Sequence, residues 1–299
     1  MPRRQTGSPA QDLGFGTSSI SRSNAKKVIA ILTGGKKNAE VIMSAPVITL
    51  IGGPTTLIEA NGFRLITDPT FDAPGEYKLP HVTLKKLTGP ARTADQVGEV
   101  DAILLSHDQH ADNFDRSGKA YAMAAPHLFT THARAQRLGT PAEGLAPWQS
   151  MKINKPDGAI LQITATPARH GPTGIEPLSG DVIGFMVSFS DGTPPLYVTG
   201  DTVWYDGLAE VAHRFRPGVV LLFAGAARTR GPFDLTMDTN DAIETAHAFP
   251  DATIVPIHCD GWAHFTQSAE DLEHSFRALG IGYRLGLLEP GVSTTIAAS

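Results

Sequence analysis

Four short stretches of this chain place histidine or aspartate directly after an apolar, strand-like run. They are Ser106-His107-Asp108-Gln109-His110-Ala111-Asp112-Asn113, Ala168-Arg169-His170-Gly171, Thr199-Gly200-Asp201-Thr202 and Pro256-Ile257-His258-Cys259. Taken singly, each is an ordinary loop residue, and an aspartate in Gly-Asp-Thr is as much a turn or helix cap as a ligand. Taken together, they put imidazoles and carboxylates at several strand ends, where loops gather a site along one rim of a sheet. That donor set suits a divalent cation. Three neutral imidazoles leave an open coordination position, and water bound there is acidified to a pKa of about 7.

The elements that must hold these residues can be read from hydrophobic pattern. Runs at 47–51, 55–59 and 63–67, separated by Gly-Gly-Pro and Asn-Gly, predict a meander of hairpins. A loop studded with proline and glycine is expected from 68 to about 98. The continuous apolar run 100–105 predicts a buried strand, with further strands at 127–131, 160–166, 182–189, 196–199, 219–223, 253–257 and 283–288. Helices are expected at about 115–124, 132–138, 204–215, 239–249 and 269–279, the last opening on a capping-box start at Ser268. Hairpins first, then strands alternating with helices, imply a two-sheet core flanked by helices.

Composition narrows the class. The 299 residues carry 25 basic and 30 acidic side chains, and no stretch approaches the roughly 18–20 uninterrupted apolar residues of a membrane span. The single cysteine, Cys259, cannot form an intramolecular disulfide, so the expected compartment is cytoplasmic. Residues 1–42 hold seven basic and two acidic side chains in a Ser-, Gly- and Asn-rich sequence, leaving the remainder at a net charge of −10. This extension reads as a disordered tail, a transit-like segment or upstream translation ahead of Met43. The acidic remainder, residues 43–299, is expected to be one domain with a small-molecule substrate, no nucleic-acid partner and no membrane partner. A homo-oligomer is compatible with it.

The order of these motifs resembles the metallo-β-lactamase fold superfamily, and within it the lactonase-like branch that includes ascorbate-6-phosphate lactonase. The resemblance covers about residues 47–290. It rests on the histidine- and aspartate-bearing stretches, on Ile51-Gly52-Gly53-Pro54-Thr55 and on Thr67-Asp68-Pro69. The implied fold is an α/β, four-layer αββα sandwich of two mixed sheets with external helices. The family pattern His-x-His-x-Asp-His is altered here. Without a gap, Gln109 takes the second histidine position; with one extra residue, His107, His110 and Asp112 fall in place and Asn113 stands where the last histidine belongs.

By this resemblance His107, His110 and His170 hold one metal, Asp112, His258 and Asn113 a second, and Asp201 bridges them. One or two divalent ions are implied: zinc, manganese or iron, with oxygen donors favouring manganese or iron. Asp112 could act instead as a catalytic base, with His264 facing the substrate or orienting a ligand. Trp204 and Tyr205 read as packing residues, Arg169, Arg228 and Arg230 as ion-pair or substrate-anion candidates, Asp238 as a helix cap and Cys259 as a small buried apolar residue. The implied function is a metal-dependent hydrolase whose metal-bound hydroxide cleaves a lactone, ester or phosphoester. The alternative is a metal-binding or ligand-sensing protein without turnover.

Overall fold

In the computed structural model, residues 45–299 are described, and the expected extension at residues 1–42 lies outside the described residues. The chain opens with β1 (Val47–Gly52), β2 (Thr55–Ala60) and β3 (Phe63–Thr67), an antiparallel meander. Next come a small hairpin of β4 (Gly75–Lys78) and β5 (Thr83–Lys86), the turn of helix α1 (Ala94–Val97) and β6 (Ala102–Leu104). Helix α2 (Arg116–Met123), β7 (Leu128–Thr131), α3 (His132–Leu138) and β8 (Ala142–Leu145) complete the first half. The order in this seven-stranded sheet is β15-β1-β2-β3-β6-β7-β8, where β15 (Ser293–Thr295) returns from the far end of the chain. Strands β3, β6, β7 and β8 run parallel, so the sheet is mixed.

The second sheet begins with β9 (Ser150–Asn154) and β10 (Ile160–Pro167). The one-turn α4 (Glu176–Ser179), β11 (Ile183–Phe189), β12 (Leu196–Val198) and α5 (Asp206–Arg214) follow. It ends with β13 (Val219–Phe223), α6 (Thr239–Ala248), β14 (Thr253–Ile257) and α7 (Ala269–Ala278). Its order is β14-β13-β12-β11-β10-β9, antiparallel from β9 to β12 and parallel from β12 to β14.

Three cores explain why the strands read as unbroken apolar runs. Along β13, Val219, Leu221 and Phe223 face the core between the two sheets, whereas Val220 and Leu222 face the core beneath the helices. A strand covered on both faces has no polar side to show. The inter-sheet core joins Ile48, Ile58, Leu65 and Phe129 to Ile163, Phe185 and Val255. Outside the second sheet, Leu208 and Val211 of α5, Ala242 of α6, and Leu272 and Phe276 of α7 pack on Met186, Tyr197 and Ile254. Outside the first, Val97 and Ala122 pack on Ile66, Ile103 and Leu128. The result is the αββα sandwich. Helix α7 carries the expected capping box between Ser268 and Asp271. No helix among the described residues is long and apolar enough to cross a membrane.

Two expectations need correction. The span 68–98 is not a featureless loop, since it contains the β4–β5 hairpin and α1. The expected strand 283–288 is instead a 3₁₀ turn, Gly282–Arg284, with one bridge from Leu285 to Ile254. The reason is Arg284, which is buried and donates to the carbonyls of Ala246, Phe249 and Ala252. It satisfies acceptors left open at the end of α6, a geometry an extended ladder would not allow.

Candidate metal centre

The four stretches meet at one rim of the sandwich, each just beyond a strand's carboxyl end: His107 and His110 after β6, His170 after β10, Asp201 after β12 and His258 after β14. Gly200 makes the turn into Asp201 feasible. It sits at φ +64°, and a Cβ there would lie 2.7 Å from the Ile183 carbonyl oxygen and 2.9 Å from Ser106 Cβ. His258 itself is held at φ +54°, its N–H donating to the Gly53 carbonyl at 2.9 Å. Asp68, beyond β3, is held at φ +29°. Strained non-glycine backbone of this kind persists only where the surroundings over-determine it.

His107 Nε2 lies 3.0 Å from His110 Nδ1, which lies 3.3 Å from His170 Nε2. Among the described residues these three histidines form a group whose ligand atoms all lie within 4.8 Å of one another. For two of them the other ring nitrogen settles which atom carries the proton. His170 Nδ1–H donates to the Leu235 carbonyl at 2.8 Å, which leaves Nε2 as a bare lone pair. Ser106 donates its hydroxyl to Asp68 Oδ2 at 2.7 Å and accepts from His107 Nδ1–H at 3.0 Å, so His107 Nε2 is bare too. Two lone pairs thus point into one buried space, each within reach of His110 Nδ1. The residues fit a cation: the nitrogens converge where only an electron-pair acceptor can satisfy all of them.

The electrostatics agree. Burial holds His107 well below the ordinary imidazole value and pushes His110 down to about 4, with His170 adding to both shifts. Burial alone would raise the Asp201 carboxyl, yet His258, His170 and His107 outweigh it and hold it ionised. Asp201 Oδ2 stands 3.6 Å from His170 Nε2 and 3.9 Å from His107 Nε2. Its Oδ1 stands 3.4 Å from His258 Nε2, which is 3.8 Å from Asp112 Oδ2. Both His258 ring nitrogens and Asp112 Oδ1 are buried without a hydrogen-bond partner. His264 Nε2 donates to Asp112 Oδ2 at 2.8 Å, and His264 and His258 hold that carboxyl low against the burial that would raise it.

The register of the first motif follows from the geometry. His110, not Gln109, reaches the cluster. Gln109 packs on Gly180, where a Cβ would collide with its amide, and Asp108 turns away to pair with Arg134 at 3.1 Å and with Arg137. Asn113 is present and buried, but it aims its N–H, not its oxygen, at Asp201 Oδ1 (3.2 Å) and Asp68 Oδ2 (3.4 Å).

The remaining candidates stand around the site. Arg169 donates to the Gly171 carbonyl and Thr173 and stacks 4.5 Å over Tyr205; Arg228 pairs with Asp234 at 2.7 Å. Asp238 caps α6, Trp204 and Tyr205 pack against the helix-side core, and Cys259 is buried. Sequence reasoning gave no role to Ser106 or to the Leu235 carbonyl. It also missed the hairpin residues Leu79, His81, Val82 and Leu84, which with Ala227, Thr229, Leu235 and the site itself line the cleft. The hairpin's only advance signal was the short apolar–polar alternation Val82-Thr83-Leu84-Lys85.

The beta-lactamase superfamily domain matches residues 63–259, and the chain belongs to that family. It is 26% identical to the UPF0173 protein YddR of Bacillus subtilis over 258 residues, covering 83% of this chain and 99% of that one. It is 24% identical to a UPF0173 metal-dependent hydrolase of Herpetosiphon aurantiacus, covering 86% and 100%. Among solved structures, an isothiocyanate hydrolase from Delia radicum gut bacteria superposes with a TM-score of 0.72 at 21% identity, covering 85% and 100%. A metallo hydrolase from Ignicoccus hospitalis does so at 0.62 and 19%, covering 84% and 98%. These two likenesses concern the fold.

Proposed function

We propose that this chain is a metal-dependent hydrolase that cleaves a lactone, another carboxylic ester or a phosphoester of a small molecule. The observation that carries the proposal is the convergence of His107 Nε2, His110 Nδ1 and His170 Nε2 on one buried space, with the protons of His107 and His170 held on their remote nitrogens. His107, His110, His170 and Asp201 would hold the cation. A divalent cation so held supplies Lewis-acid activation, acidifying water and polarising the oxygen of the scissile group.

The chain's own residues supply the rest. Asp112 lines the cleft with Oδ1 unpartnered while His264 fixes Oδ2, so Oδ1 accepts a hydrogen bond from the attacking water and aims it. A carboxyl held this low is a weak proton sink and a good aligner. Leu79, Val82, Leu84 and Leu235 line the cleft with apolar surface, which keeps bulk water from competing. The names of the UPF0173 relatives support the hydrolase reading, and the lactonase-like motif order favours an ester as substrate.

The test is chelator-stripped protein reloaded with zinc, manganese or iron and offered γ- and δ-lactones, aryl esters, phosphodiesters and isothiocyanates. Turnover that appears only on reloading and disappears in His170→Ala supports the proposal. A fully loaded, folded protein inert toward the whole panel sinks it.

A further inference from the structure

Asp201 is shared by two half-sites that are not equivalent. On its Oδ2 side stand three imidazoles, two of them with the proton fixed on the remote nitrogen. On its Oδ1 side stand one imidazole, His258, and one carboxylate, Asp112, whose Oδ2 is already taken by His264. Also on that side are Asn113, wholly buried, and the Asp68 carboxyl, 3.4 Å from the Asn113 amide.

The orientation of the Asn113 amide is dictated by charge. Its Nδ2 lies 3.2 Å from Asp201 Oδ1 and 3.4 Å from Asp68 Oδ2. Exchanging its nitrogen and oxygen would set a carbonyl lone pair against Asp201 Oδ1, and an ionised carboxylate accepts and never donates. The N–H therefore takes up acceptor capacity of Asp201 Oδ1, the oxygen on the His258 side. A second ion there would have to break that hydrogen bond and turn the amide toward Asp68.

We propose that the chain takes one divalent cation, in the His107–His110–His170–Asp201 half-site, and that Asn113 is the residue that keeps the His258–Asp112 half-site from taking a second. The inference rests on the metal-dependent reading above. It also assigns Asp112 and His264 to handling water and not to ligation.

The experiment is a zinc titration of the stripped, full-length protein by calorimetry, with elemental analysis after gel filtration. The expected wild-type result is one ion per chain, any second event being weaker by about 100-fold, the upper scale on which outer partners alter metal affinity. Asn113→His should take two ions per chain. Asn113→Asp, which removes the donor without needing room for a ring, should also recruit a second ion. Thermal melts by circular dichroism establish that each variant is folded. Two ions of comparable affinity in the wild type overturn the inference and leave the hydrolase reading standing. Folded variants that both stay at one ion overturn the role of Asn113. No bound ion at all overturns both readings.

Discussion

Lys86 Nζ lies 3.0 Å from Asp115 Oδ2, with both side chains buried, and so joins the hairpin strand β5 to the cap of α2. Asp115 also accepts from the N–H groups of Phe71, Asp72 and Gly118 at 2.9, 2.7 and 2.8 Å. One carboxylate thus ties the exit of β3, the base of the cleft hairpin and the helix that follows the ligand loop. Removing one partner of a buried pair costs about 3–5 kcal/mol, because the other charge is stranded. Asp115→Ala should lose that much in urea denaturation, and Lys86→Met distinctly less, because the carboxylate it leaves behind keeps the N–H groups of Phe71, Asp72 and Gly118. A loss under about 1 kcal/mol for Asp115→Ala would mean water reaches the lysine.

His264 should act through Asp112. Its ring is packed 4.6 Å from Phe265 and 5.9 Å from Trp262, centroid to centroid, which holds Nε2–H on Asp112 Oδ2. His264→Ala should lower kcat about 10–100-fold, with bound metal unchanged and KM within about twofold. His264→Gln, which retains a donor, should recover part of the loss. Equal loss of metal and activity in both variants would make His264 a support of the ligand set instead.

Most of the sandwich was legible because its strands obey simple rules. The run Val219–Phe223 is apolar on both faces and cannot be anything but buried, and Ser268 with Asp271 announces a helix start. The histidine and aspartate ligand candidates were legible for a related reason: each follows a strand end, so the topology that stacks the strands gathers them. Illegible were the parts whose role comes from a distant partner. Lys86 reads as a surface residue until Asp115, 29 positions away, is brought to it. Arg284 reads as part of a strand until the end of α6 supplies carbonyls for it. The direction of the Asn113 amide depends on Asp68 and Asp201, neither of which is local to it.

The neutral imidazoles make the metal-free protein acid-sensitive. His110 is held at about 4 against an ordinary 6.5, by burial first and His170 next. Between those values the unfolded chain binds a proton that the folded chain refuses, so stability rises with pH there. The contribution is complete above pH 6.5 and is lost as pH falls toward 4, about 3 kcal/mol in all. Asp68 slopes the other way. Burial raises it from 3.8 to about 7, so the folded chain keeps a proton that the unfolded chain releases, and stability falls as pH rises through that window. Subtracting the urea-denaturation profile of chelated His110→Gln from that of chelated wild type removes the Asp68 slope. The difference should grow from pH 4 to 6.5 and then level off; a flat difference would mean His110 is protonated in the fold.

Arg230 should select for anionic substrates. Arg169 and Arg228 are occupied by Tyr205 and Asp234, whereas Arg230 pairs with no carboxylate among the described residues and donates only to the Leu178 carbonyl, at 3.0 Å. It follows Thr229, which lines the cleft, and its charge adds to the downward shift that burial imposes on His81 and His110, two other lining residues. A guanidinium beside apolar walls favours an ester whose body is apolar and whose far end carries a carboxylate or phosphate. Arg230→Gln should raise KM for such esters about tenfold, the scale of one charged hydrogen bond, and leave neutral analogues within about twofold. Both kcat values should hold, since the residue stands away from the reacting atoms. If KM rises equally for charged and neutral esters, the substitution has disturbed the loop and Arg230 does not read charge.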